Sequence, residues 1–230
     1  MAKKRISDVL IEVLANAGIE RIYGITGDSL NSVNDSLRRN GKIAFEHVRH
    51  EETAAFAAGA EASLTGKLTV CAGSSGPGNL HLINGLFDCH RNRVPVLAIA
   101  SHIPQSEVGL NYFQETHPEN LFKECSCFCE LVSNPKQMPE ILFRAMNAAV
   151  GNQDVSVIVL PGDVAVMEME IDELPVWHHP RLPHIVPQRE DIEEMSAHLE
   201  KGERITLFCG AGCEGAHDEV VELAKRLQAP

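Results

Sequence analysis

Positive charge is scarce in this sequence. Lys and Arg number 20 against 32 Asp and Glu, a formal net charge of -12 at pH 7. Phosphate backbones and anionic lipid are held by basic surfaces, so the expectation is no nucleic-acid partner and no broad adhesion to membranes. The seven cysteines (Cys71, Cys89, Cys125, Cys127, Cys129, Cys209 and Cys213) contain no CxxC pair. No apolar run is long enough to span a bilayer. The basic start Met1-Ala2-Lys3-Lys4-Arg5 imitates a signal peptide, but Asp8 and Glu12 interrupt the apolar stretch that must follow. The expectation is a cytoplasmic protein with reduced thiols.

The 230 residues are 44% hydrophobic and 23% charged, an ordinary globular balance. Such a length can bury a proper core, and at roughly 150 residues per domain it corresponds to about one and a half domains.

Apolar periodicity predicts alternating elements. Helices are expected over 7–18 with Ser7 as cap, then over 29–39, 51–64, 77–89 and 139–150. Strands are expected over 21–24, 43–48, 68–72, 94–100 and 155–160. The last two are apolar throughout, as strands buried on both faces are. This alternation predicts an α/β fold, a parallel sheet with helices on both faces. Pro175, Pro180, Pro183 and Pro187 then cluster with His178 and His179, which reads as a linker with solvated histidines. A helix over 190–201, a strand over 205–209 and a helix ending near 227 follow. Three elements cannot close a domain, so the expected division is a first domain over 1–174, a linker over 175–187 and a truncated start of a second α/β domain over 188–230. The chain is expected to be the N-terminal part of a longer protein.

Three stretches offer chemistry. Gly73-Ser74-Ser75-Gly76-Pro77-Gly78-Asn79 follows a strand and opens a helix, where glycines admit a ligand close to free backbone N–H groups. It lacks the Gly-Lys-Ser/Thr of a phosphate P-loop, and by itself it reads equally as a plain glycine-rich turn. Gly210-Ala211-Gly212 after a strand is a weak dinucleotide signal. Arg49-His50-Glu51-Glu52 stands directly before a run of alanines, either as a helix cap or to deliver a carboxylate to a buried place. Cys125, Cys127 and Cys129 alternate and are expected on one face of an extended segment, without further ligands for a metal.

In order along the chain come Tyr23-Gly24-Ile25-Thr26-Gly27, Arg49-His50-Glu51-Glu52, Ser74-Ser75-Gly76-Pro77-Gly78-Asn79, the run from His81 to Asn92, Phe113-Gln114-Glu115-Thr116-His117-Pro118 and Leu160-Pro161-Gly162-Asp163-Val164. This series resembles the pyrimidine-binding N-terminal domain of thiamine-diphosphate enzymes, in the pyruvate oxidase family. Within that family it is most similar to the flavin-containing, quinone-reducing pyruvate dehydrogenases.

The resemblance implies oxidative decarboxylation of pyruvate to acetate and CO2, with thiamine diphosphate, Mg²⁺ and FAD as cofactors and a quinone as acceptor. It makes Glu51 the catalytic carboxylate that meets N1′ of the aminopyrimidine. Ile25, Thr26, Gly27, Ser74 and Asn79 would contact thiamine diphosphate, and Phe113 and Gln114 would shape the substrate pocket. Many relatives carry Pro-Gly where Thr26-Gly27 stands here. Gly210, Ala211 and Gly212 would neighbour FAD. The family's Mg²⁺ ligands lie in a Gly-Asp-Gly…Asn motif of a third domain, which this sequence does not show, so no metal site and no activity are expected of these residues alone. A homo-oligomer is implied, a dimer around the active sites and a tetramer for the complete enzyme, with peripheral membrane contact through a C-terminal tail. Acetolactate synthase and phosphate-dependent pyruvate oxidase share these motifs and remain alternatives, as does a non-catalytic interaction module.

Overall fold

A computed structural model describes residues 2–181 and 183–230. Met1 and Leu182, which fall in the basic start and the proline-rich segment, lie outside the described residues. The chain divides into two compact units, 1–182 and 183–230.

The first unit runs β1 (Ala2–Arg5), α1 (Ile6–Asn16), β2 (Arg21–Gly24), α2 (Asn31–Asn40), β3 (Ala44–His47), α3 (Glu51–Thr65), β4 (Thr69–Gly73), α4 (Pro77–Arg91) and β5 (Val96–His102). It continues with α5 (Pro118–Leu121), β6 (Phe128–Leu131), α6 (Met138–Asn152), β7 (Val155–Pro161), α7 (Gly162–Val166) and β8 (Glu168–Ile171). Six strands form one parallel sheet in the order β3-β2-β4-β5-β7-β6. The fold is the expected one, a parallel sheet covered by helices on both faces.

Side chains of a strand alternate between faces, and here that alternation separates two cores. Val70, Leu97, Ile99, Ile158 and Leu160 pack with α1, α2 and α6. Cys71, Val96, Ala98, Val157 and Val159 pack with α3 and α4. Strands β5 and β7 are buried along their whole length, as their unbroken apolar runs require.

Three short strands were not expected. β1 pairs antiparallel with β8, away from the main sheet, and β6 forms the sheet edge. Each has four residues, too few for a periodic signal. Ser7 is not a cap. Arg5 holds the N-cap position of α1 without a side-chain hydrogen bond, and Ser7 is buried inside the helix, 2.6 Å from the Ser32 hydroxyl of α2. The three alternating cysteines do not share a face. β6 begins only at Phe128, so the two-residue period does not hold before it. Cys125 is buried, Cys129 half-buried and Cys127 exposed.

Trp177 is buried in the first core and donates to Asn147 Oδ1 of α6 at 2.9 Å, so the proline-rich segment is docked at that point. His178 and His179 are exposed. The second unit holds α8 (Arg189–Glu200) and α9 (His217–Leu227). Residues 205–209 form no strand, because no neighbouring strand offers a ladder. No described residue of this unit is buried, as befits two helices with no sheet to cover.

Candidate functional site

The chain leaves β2, adds β3 on one side, then returns to place β4 on the other side of β2. Ligands of open parallel sheets bind outside the carboxyl ends of the strands at such a reversal. The loop after β2 carries Ile25, Thr26 and Gly27, and the loop after β4 carries Ser74 to Gly76, with Gly78 in the first turn of α4. They meet there: a Cβ on Gly27 would lie 2.6 Å from Ser74 Cβ, closer than atoms approach. Thr26 turns away, exposed in a groove with Asn34 and Phe45, while Ile25 is half-buried.

Glu51 is the first residue of α3 and is 7% exposed. Its Oε2 lies 3.0 Å from His81 Nδ1 on α4. Its Oε1 borders Gly78, where an added Cβ would lie 3.2 Å from it and 2.7 Å from Ser74 Oγ. Glu51, Ser74, Gly27 and Gly78 therefore pack closely together at the sheet's reversal point. Glycine is required at 27 and 78 because a Cβ at either position would collide with Ser74. Glu52 points elsewhere. Its carboxylate accepts from Asn84 Nδ2 on the half-exposed rim.

The alanines after Glu51 have a packing purpose. Ala54, Ala55, Ala58 and Ala62 are buried against α4. Contacts between the helices keep a constant offset of 30 residues. Glu51 meets His81, Ala55 meets Gly85, and Gly59 meets Cys89. The two helices thus run side by side in the same direction, and their small residues bring the His81 ring to the carboxylate. His50 is the N-cap of α3. Its Nδ1 accepts from Glu52 N, and its ring stacks on His81 with centroids 4.3 Å apart. The local sequence pattern marks neither His50 nor His81 as a site residue. The signal was the shared four-residue spacing of 51, 55 and 59 with 81, 85 and 89.

Asn79 is fully buried. It donates through Nδ2 to the Ser101 carbonyl of β5 at 2.7 Å, and its Oδ1 has no hydrogen-bond partner among the described residues. It fastens the start of α4 to the sheet. Gln114, in the left-handed region at φ 64°, packs against Gly76, and Ser75 Oγ stands 3.4 Å from its Oε1. Phe113 is 79% exposed. With Ser29, Ser75, His102, Tyr112 and Gln114 it lines a cavity of about 300 Å³. His102 at the end of β5 is buried, and burial pushes its pKa below the ordinary value. Burial also pushes the thiols of Cys89 and Cys129 up to about 12 and that of Cys125 to about 11, which makes them inert packing groups. Gly210, Ala211 and Gly212 lie in the second unit, exposed, with open space around both glycines.

Residues 4–121 match the family model for the thiamine pyrophosphate enzyme, N-terminal TPP binding domain. The chain is 58% identical over its whole length to an uncharacterized 42.6 kDa protein in the isoamylase 3′ region of Pseudomonas amyloderamosa, of which it covers 58%. It is 32% identical, over 96% of its length, to the pyruvate oxidase of Lactiplantibacillus plantarum, covering 37% of that protein. It is 33% identical, over its whole length, to an acetolactate synthase of Arthrospira platensis, covering 42% of it. The chain thus spans between about a third and three-fifths of these relatives.

Proposed function

The chain belongs to the thiamine pyrophosphate enzymes, whose N-terminal TPP binding domain it contains, and from that premise we propose that it is the pyrimidine-holding part of a flavin-dependent pyruvate dehydrogenase that passes electrons to a quinone. One observation carries the reading: a buried carboxylate, Glu51, set against Gly78 and Ser74 at the sheet's reversal point. The residues fit the group, since Glu51 turns Oε2 to His81 and Oε1 toward Gly78, and glycines at 27 and 78 put no side chain beside that carboxylate or Ser74.

When bound, thiamine diphosphate supplies the electron sink for the carbon that loses CO2. Glu51 Oε1 holds a proton at N1′ of the aminopyrimidine. His81 holds the other oxygen in place. Gly27 and Gly78 would let the ring come close to the backbone, and Ser74 would border it. Ile25 would flank that approach, Thr26 faces the groove with Asn34 and Phe45 instead, and Asn79 keeps the start of α4 fixed to β5. Phe113 and Gln114 border a cavity that also reaches Ser75 of the glycine-rich turn, and there they would shape the pocket for a 2-oxo acid.

The finer assignments rest on the sequence resemblance. FAD belongs to the reading through Gly210, Ala211 and Gly212, with 188–230 as the opening of its domain, 175–187 as the linker and 1–174 as the pyrimidine domain. Mg²⁺ would be held by residues of a further domain. A homodimer around paired sites, a tetramer for the whole enzyme and a cytoplasmic place complete the proposal. Among the described residues no helix is long and apolar enough to cross a membrane. The relatives named pyruvate oxidase and acetolactate synthase support pyruvate as the substrate. Acetolactate formation is the second reading, and the product formed from pyruvate separates the two.

The test is Glu51→Gln in the complete enzyme. The amide keeps size and hydrogen bonding but cannot exchange a proton at N1′. Placed proton transfer contributes about 10²–10⁴-fold, so pyruvate turnover is expected to fall by that order while the thermal midpoint stays. Glu52→Gln should cost far less, because that carboxylate serves Asn84. Equal losses in the two variants would reduce Glu51 to a helix-end residue.

A further inference from the structure

Two imidazoles flank the buried carboxylate, more than a proton contact with a pyrimidine calls for. His50 precedes α3, and His81 lies in the second turn of α4. Their rings stack at 4.3 Å with 24° between planes. Glu51 Oε2 is 3.0 Å from His81 Nδ1. One donor atom from each of His50, Glu51 and His81 falls within 4.8 Å of the others.

We propose that His50, Glu51 and His81 form a binding site for a divalent transition metal of the Zn²⁺ class. Ligand atoms about 2.0–2.2 Å from a tetrahedral zinc stand about 3.3–3.6 Å from one another. The Glu51–His81 pair is already near that spacing. Both imidazole side chains are almost half exposed, 46% and 45%, so a modest rotation of each closes the rest. The carboxylate is buried and fixed, which gives the site one rigid ligand and two adjustable ones. Two imidazoles and one carboxylate suit zinc, cobalt or nickel, whereas magnesium prefers oxygen ligands. Three protein ligands leave a fourth position open to water, the pattern of an accessible site rather than a closed structural one.

The site has a consequence that rests on the proposed role of Glu51. A metal beside His81 takes Glu51 Oε2 and draws charge from the carboxylate whose Oε1 would serve N1′, so a bound transition metal weakens that proton contact and lowers turnover.

The experiment titrates the intact protein with Co²⁺ alone and follows its visible absorption. One Co²⁺ per chain is expected, displaced by one equivalent of Zn²⁺. Loss of a group that merely orients a ligand costs about 10–100-fold in affinity, so losing a ligand in His81→Ala or His50→Ala should cost at least that. The paired Cys209→Ser and Cys213→Ser changes should leave the spectrum as it is, because the neighbouring thiols of exposed Cys209 and half-buried Cys213 are the competing site. Circular dichroism checks that each variant is folded. His81→Gln, which keeps a polar side chain, serves if His81→Ala unfolds. Absence of a stoichiometric Co²⁺ spectrum overturns the proposal, as does a spectrum that survives removal of both histidines. The titration reads the metal and not turnover, so its failure leaves the catalytic reading of Glu51 standing. A metal-binding protein whose Glu51→Gln enzyme turns over normally would leave this site and remove that reading.

Discussion

His102 ends β5 with Nδ1 sealed from solvent and without a hydrogen-bond partner. Burial is the largest influence on it and favours the neutral ring, while Glu119 and Glu115 oppose and His117 reinforces that shift. A base with a lowered folded-state pKa binds its proton more readily when unfolded. Its stabilising contribution is therefore complete above the ordinary value of 6.5 and is lost as the pH falls toward the folded-state value. We expect denaturant unfolding of the wild type to show a stability decline below pH 6.5 that His102→Gln makes shallower. The same decline in both proteins would mean that other groups set the acid limb. Glu51 belongs to the same scale. Its type and place were legible in the sequence because a carboxylate before an alanine run is unusual. Its partner His81 lies 30 residues away and became visible only when α4 was laid beside α3.

At the scale of the element, α3 and α4 approach so closely that glycine is obligatory at one contact. A Cβ on Gly85 would lie 2.5 Å from Ala55 Cβ and 2.8 Å from the Glu52 carbonyl. Backbone cannot yield as a flexible side chain can. Gly85→Ala gains about 1 kcal/mol in helix propensity, but overpacking typically costs about 1–3 kcal/mol. The expected outcome is a net loss in urea unfolding, together with weaker placement of Glu51. Gly151 in α6 is the control: it is exposed with nothing within 4 Å of an added Cβ. Gly151→Ala should stabilise by about 0.5–1 kcal/mol. A Gly85→Ala protein as stable as Gly151→Ala would refute the tight contact. The long elements were read to within a few residues because their apolar periods are sustained. β1, β6 and β8 were missed because four residues carry too little pattern, and the strand expected over 205–209 failed because a strand needs a neighbour as well as a sequence.

The whole molecule comprises two units of unequal kind. The first has two cores, one on each face of its sheet. The second has no buried residue among those described. Limited trypsin digestion should therefore accumulate an N-terminal fragment ending at Arg181 or Arg189, both exposed. Trp177, the one tryptophan, is buried in the first unit, so its fluorescence should survive the cleavage unchanged. Early cuts inside α3 or α4, or a shift in Trp177 emission on cleavage, would contradict this division.

The sequence alone determined the layered α/β class, since strand and helix periods alternate and two strands are apolar throughout. It also determined which loops are glycine-rich and where a carboxylate stands before a helix, because these are local properties of composition and spacing. Only the tertiary structure decided the strand order that brings the loops after β2 and β4 together. It alone paired His81 with Glu51, stacked His50 on that ring and left His102 Nδ1 without a hydrogen-bond partner among the described residues. Those relations join residues far apart in the chain, and they are set by which faces bury apolar area and how closely small residues let two helices approach.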